Sequence, residues 1–149
     1  MTVFGRTQTG QDIEKLTISA DDLSVSILTF GAIVQDVRLA GVAQGFVLGS
    51  DQLQDYETTM GYFGAIVGPI ANRISNARVR LGGMMYELER NENGETHLHS
   101  GAEGVHRKVW QVVSQTPDSV TLALTLNDGA AGLPVASDDI REGLWAGGE

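Results

Sequence analysis

Residues 119–126 read SVTLALTL, with an apolar residue at every second position: Val120, Leu122, Leu124 and Leu126. A repeat of two is the repeat of a β-strand, whose successive side chains point to opposite faces. A helix needs spacings of three and four, and no long amphipathic helix can be written anywhere along the chain. The alternation therefore restricts the chain to folds in which strands bury one or both faces.

The same reading extends to other segments. Leu23, Val25, Ile27 and Thr29 alternate with Ser24, Ser26, Leu28 and Phe30, so the far end is apolar on both sides, as in a strand covered on both faces. Asp21 and Asp22 mark the turn before it, and Gly31 ends it. A further strand is expected over residues 33–39, with Asp36 and Arg38 outward. The stretch FVLG reads as a short strand ended by Gly49. SDQLQDYETT reads as a helical turn capped by Ser50 or Asp51. ARVRLGGMMYELERN reads as a hairpin about Gly82 and Gly83, and VHRKVWQVVSQTPDSVTLALTLNDG as a second hairpin turning at TPDS. The segment GYFGAIVGPIANRI is crowded with glycine, which suits a backbone bending closely around something. The expected fold is all-β, an antiparallel β-sandwich. Residues 1–134 are expected to form one domain part. Residues 135–149 show no strand period and no obvious partner, so they read as a divergent tail.

Composition narrows the partners. The formal net charge of -9 argues against nucleic acid and against anionic membrane surfaces, and it is compatible with a neutral ligand such as a sugar. There is no cysteine, which excludes disulfides, thiolate metal sites and cysteine nucleophiles. The first residues lack the pattern of a signal peptide, and no apolar run is long enough to span a bilayer. A soluble cytoplasmic protein is therefore expected.

Two of the three histidines lie in NGETHLHSG. On one strand His97 and His99 would share a face, and with Glu103 they spell HxHxxxE, the core of the metal motif of cupins. The glycines that frame that motif are replaced by Asn91 and Trp110, and no histidine follows His106, so no metal site is expected. His97 is expected to be a hydrogen-bonded rim residue. His106, beside Arg107 and Lys108, is expected to be a solvated surface position.

Six segments in register resemble the aldose 1-epimerase family, also called galactose mutarotases. LTFGAIVQDVRL resembles an early strand pair with a GA break. FVLGSDQLQDY resembles a VVLGFDSLEDY-type segment. YFGAIVGPIANRI resembles the signature YFGAIVGRVANRI, and ARVRLGGMMYEL the hairpin that follows it. HLHSGAEGVHRKVW resembles LHGGxxGFDKRxW, and LNDGAAGLP resembles the DGxxGYPG loop. The resemblance runs from the N-terminus to about Pro134.

By position it implies that Asn72 and Arg73 lie in a sugar site, with the arginine hydrogen-bonding sugar oxygens. A guanidinium fork and an amide suit that task. It implies that His99 sits near the ring oxygen and orients the sugar, whereas His97 is no counterpart. Pro69 stands where the signature has an arginine, Ser100 where it has a glycine, and Leu133 where it has a tyrosine. The implied reaction interconverts the α and β anomers of a free aldose such as galactose or glucose, without metal or organic cofactor. The family's acid is a second, downstream histidine and its base a late glutamate, and neither catalytic residue has a counterpart in this sequence. Weak or absent activity is therefore expected. The alternative is a non-catalytic carbohydrate-binding β-module. The implied fold is a large supersandwich of which this chain holds a part, so exposed sheet edges, marginal stability or self-association are expected.

Overall fold

The computed structural model describes residues 2–134 and 139–146. Strands β1 (Thr2–Arg6), β2 (Asp12–Ala20), β3 (Leu23–Leu28) and β4 (Ile33–Leu39) form an antiparallel sheet in chain order. The turn between β2 and β3 falls on Asp21 and Asp22, and Asp21 takes a φ of 48°, a left-handed geometry that aspartate tolerates. As the alternation requires, neighbouring residues of β3 enter different cores. Ile27 joins one apolar cluster with Leu16, Ile18, Val105, Trp110, Val120 and Leu122. Leu28 joins another with Ile13, Phe30, Ile33, Leu53 and Tyr56. The sheet is thus covered on both faces.

The middle of the chain supplies a short helix α1 (Leu53–Glu57), then β5 (Arg73–Ile74), β6 (Arg78–Leu81), β7 (Met84–Glu87) and β8 (His97–Leu98). β5 pairs with β8, and β6 with β7 through the expected turn at Gly82 and Gly83. β9 (Gln111–Gln115), β10 (Ser119–Thr125) and β11 (Asp139–Trp145) form a second antiparallel sheet in the order β11-β10-β9. Val120 and Leu122 of β10 meet Leu16 and Ile18 of β2 in the first cluster, so the two sheets pack through a shared core.

Gly31 is the junction of the molecule. Its N–H donates to Lys108 O at 2.8 Å, and its carbonyl accepts from Ile66 N at 3.1 Å. Its φ is +64°, and a Cβ there would lie 2.4 Å from the His106 carbonyl, so no other residue fits. Beside it Trp110 N donates to Thr29 O at 2.7 Å, and the indole Nε1 donates to Val105 O at 3.1 Å. The glycine-rich stretch bends around this protein's own backbone: Val34 N donates to Gly64 O at 2.9 Å.

Four local expectations are corrected. FVLG is no strand: Phe46, Val47 and Leu48 are exposed, and Leu48 keeps 75% of its surface. Apolar sequence alone does not make a strand unless a neighbour receives its backbone groups in a continued ladder, and here Phe46 N donates to Val37 O at 2.9 Å without a ladder following. The N-cap of α1 is Gln52, without a side-chain cap bond. Ser50 acts one step earlier, its Oγ accepting from Gln52 N at 3.0 Å and donating to Asp55 Oδ2 at 2.5 Å. In the tail, β11 pairs along all of β10, from Ser119↔Trp145 to Thr125↔Asp139. The edge of β10 offers backbone donors and acceptors, which a segment can meet without side-chain periodicity. The rest of the tail, residues 135–138 and 147–149, lies outside the described residues. Finally, His106 is buried rather than solvated, at 2% exposure.

Candidate functional site

The β5–β8 pair carries the residues singled out from the sequence. Arg73 pairs with Leu98 and Ile74 with His97. Immediately outside the pair, His99 N donates to Asn72 O at 3.1 Å, and Asn72 N donates to His99 Nδ1 at 2.9 Å. Both residues are left-handed, Asn72 at φ 63° and His99 at φ 51°. Asparagine and histidine are among the non-glycine residues that tolerate this region best, and such strain is held where surrounding contacts over-determine it.

The reciprocal contact fixes the state of the imidazole. A backbone N–H can only donate, so Nδ1 of His99 carries the lone pair, and the neutral ring bears its proton on Nε2. His99 is half-buried, leaving that Nε2–H as a donor for a ligand oxygen.

Arg73 lies on the same strand pair. Its Nε donates to Glu92 at 2.7 Å and its Nη2 at 2.6 Å, a two-pronged ion pair. Its Nη1 donates to Asn72 Oδ1 at 3.0 Å. These bonds orient the guanidinium beside Asn72 while leaving it exposed. Hydrogen bonding to Arg73 holds the Glu92 carboxyl below its ordinary value, and Glu92 raises Arg73 in return.

The loop before β5 is held by Ser100, buried to 1% exposure. Its Oγ accepts from Ile70 N at 2.8 Å and donates to Ile70 O at 3.2 Å. Ser100 has a φ of 63°, a conformation natural to glycine. The hydroxyl offsets that strain by tying the segment that carries Asn72.

Sequence reasoning missed two residues of this region. Tyr62 lies against both His99, with ring centroids 5.0 Å apart, and His106, at 4.7 Å. His106 packs so closely on Gly104 that a Cβ there would lie 2.5 Å from its ring. Burial, then Arg107 and His99, push the His106 imidazole down to about 4, so it is neutral near neutral pH. Its Nδ1 is buried without a partner among the described residues. The single signal available was Gly104, which makes room for a ring two residues later.

The HxHxxxE pattern dissolves in three dimensions. β8 ends at Leu98 and His99 turns left-handed, so the two histidines do not follow strand alternation. His97 is buried at 1% exposure rather than at a rim, with Nδ1 2.8 Å from the Glu89 carbonyl. Glu103 pairs with Lys108. Among the described residues no group of three or more histidine, aspartate or glutamate side chains is arranged to hold a metal. No helix among them is long and apolar enough to cross a membrane.

Comparison with known proteins points one way. A family model for aldose 1-epimerase matches residues 14–138. The chain is 35% identical over 138 residues to galactose mutarotase of Bos taurus, covering 89% of this chain and 39% of that protein. It is 31% identical over 129 residues to aldose 1-epimerase of Escherichia coli, covering 84% of this chain and 37% of that one. A C. elegans aldose epimerase homologue of known structure superposes with a TM-score of 0.76 at 30% identity, over 88% of this chain and 40% of its own. Galactose 1-epimerase from Lactobacillus acidophilus gives a TM-score of 0.74 at 26% identity, over 89% of this chain and 40% of its own. The chain thus spans about 40% of the length of the curated mutarotases it matches. On the family match, the shared strand architecture and the relatives together, this chain belongs to the aldose 1-epimerase family.

Proposed function

We propose that this chain is the monosaccharide-holding part of an aldose 1-epimerase, with Asn72, Arg73 and His99 contacting a free aldose such as galactose or glucose. The observation that carries this is the bond from Asn72 N to His99 Nδ1. It presents a neutral Nε2–H donor, fixed in orientation, next to an exposed guanidinium and amide. A sugar oxygen accepts from the imidazole and from Arg73, and Asn72 adds an amide that both donates and accepts.

Anomer exchange requires a base to take the proton of the anomeric hydroxyl and an acid to protonate the ring oxygen. The ring then opens, the aldehyde rotates, and closure gives the other anomer. His99 binds through a donor that its tautomer already fixes, and orientation is the contribution assigned to it. The acid and base are assigned to no residue of this chain, so sugar binding without efficient turnover is the expected behaviour. Polarimetry of freshly dissolved α-galactose and α-glucose tests this. Mutarotation should stay at the spontaneous rate while galactose binding saturates and is lost in His99→Ala. Rate enhancement that disappears in His99→Ala would show that the chain supplies its own acid and base, and would overturn the inactivity.

A further inference from the structure

His99 offers its donor in one direction only if the plane of its ring is held. The bond from Asn72 N to Nδ1 holds it at a single atom. The second side-chain torsion of histidine is broad, and a hydrogen bond tolerates roughly 30° of bending. The ring is therefore free to rock about that bond, swinging its Nε2–H, unless its face is held as well. Tyr62 supplies a contact of that kind. Its ring lies against the imidazole with centroids 5.0 Å apart and planes inclined by 58°, a tilted aromatic pair.

Core burial does not account for Tyr62. It belongs to neither apolar cluster of the described residues, and it stays 42% exposed. It rests instead on His106, with centroids 4.7 Å apart and planes inclined by 44°. His106 cannot recede from it. A Cβ on Gly104 would lie 2.5 Å from the His106 Cε1 and Nδ1, so backbone is packed directly against that ring. The turn carrying it, Val105–Arg107, is tied into the junction on all sides. Val105 N donates to Gly68 O at 3.1 Å, Trp110 Nε1 to Val105 O at 3.1 Å, and Gly31 N to Lys108 O at 2.8 Å. A run of ring contacts thus leads from the rigid junction through His106 and Tyr62 to His99.

We propose, on the reading of His99 as a sugar-contacting residue, that Tyr62 is a positioning residue for that site: backed by His106, its ring sets the plane of the His99 imidazole and so the direction of the Nε2–H. Asn72 selects the tautomer and Tyr62 selects the plane. A ring contact suits this task because it resists tilting without using a polar atom. A second hydrogen bond, made at Nε2, would consume the donor that the site is to offer. Tyr62 acts through His99 and needs no contact of its own with the ligand.

Tyr62→Leu and Tyr62→Phe in the full chain provide the test, read by the His99 ring nitrogen resonances without sugar and by the galactose dissociation constant. Leucine keeps apolar bulk and removes the flat face, whereas phenylalanine keeps the face and removes the hydroxyl. In Tyr62→Leu the Nδ1 and Nε2 resonances should move from their single-tautomer positions toward their mutual average, and galactose should bind about fivefold more weakly, the scale of one hydrogen bond. Tyr62→Phe should keep the wild-type resonances and stay within about twofold in affinity. A side chain with a packing role alone would shift the thermal melt and leave the His99 nitrogens in place. His99 resonances unchanged in Tyr62→Leu, or moved as far in Tyr62→Phe, overturn the positioning role, and so does unchanged galactose affinity in Tyr62→Leu. Should the leucine variant fail to fold, nuclear Overhauser contacts between the Tyr62 and His99 rings of the wild-type chain decide the matter, and their absence overturns it. Resonances that move as expected in a chain whose wild type binds no galactose leave the positioning of the ring standing and remove the sugar reading of His99.

Discussion

The junction around Gly31 and the β6–β7 hairpin are both written in apolar residues, and they end in opposite environments. At the junction Phe30, Ala32, Ile33, Val105 and Trp110 are all buried, and three chain segments exchange backbone bonds at one glycine. On the hairpin Leu81, Met84 and Met85 remain exposed, and its strands are paired with each other alone among the described residues. The base of the hairpin is tied, by Leu88 N to Ala77 O at 2.8 Å, while its tip has no second surface. An alternating pattern thus specifies a strand, but a covered face needs a second element placed against it. The candidate site sits between the two regimes. His106 and Ser100 belong to the packed side, and Arg73 and Glu92 to the open one.

The largest effect should come from Trp110→Ala. Removing a fully buried indole costs about 3–5 kcal/mol, a large share of the roughly 5–15 kcal/mol that holds a domain together. Denaturant melts followed by circular dichroism should show the cooperative transition lost or moved to far lower denaturant. An unchanged midpoint would mean that the junction is not where the fold is held.

Ser100 gives a finer contrast. Ser100→Ala keeps the left-handed strain and leaves the Ile70 groups without their partner, a loss of about 1–3 kcal/mol. Ser100→Gly loses the same bonds but relieves the strain, so it should be the milder change, by about 1 kcal/mol. If alanine is tolerated better than glycine, the left-handed backbone at Ser100 carries no strain for glycine to relieve.

The pH dependence follows from His106. The folded imidazole stays neutral down to about 4, whereas the unfolded one takes a proton near 6.5. The unfolded state therefore binds more protons between these values, and stability should fall as pH drops from about 6.5 to about 4. Asp12 and Glu92, held below ordinary carboxylate values by arginine hydrogen bonds, should lose their contributions lower still. In His106→Phe the first part of the fall should flatten. A melt series in which wild type and variant run parallel from pH 6.5 to 4 would contradict this.

Much of the fold was legible because it rests on period two. β3, β4, both hairpins and the turn at Asp21 and Asp22 follow from alternation and turn residues. The misses have common physical causes. β11 forms through backbone bonds to β10, which leave no side-chain signature. Phe46 to Leu48 have a strand's composition but join no sheet among the described residues, the bond from Phe46 N to Val37 O of β4 not being continued as a ladder. Gln35 is buried because an irregular register between β3 and β4 inserts it, and no pattern announces a bulge. At the site, the positions of Asn72, Arg73 and His99 came from resemblance. The tautomer of His99, the clamp of Ser100 and the burial of His106 arise from left-handed backbone and tertiary contact, which single residues do not spell.

The smallest effects belong to the open side, and they separate binding from stability. Arg73→Ala removes an ion pair whose arginine already faces water and whose Glu92 is only part-covered, so the melt should move little. The same change removes the guanidinium that the proposed sugar site depends on, so galactose affinity should fall about tenfold, as for a charge-assisted hydrogen bond. Met85→Lys should alter neither, staying within about 0.5 kcal/mol of wild type because the side chain is already in solvent. Calorimetric titration beside thermal melts of both variants checks the pair. Should Met85→Lys destabilise the chain as much as Ser100→Ala, the hairpin tip is covered in solution, and its contrast with the junction disappears.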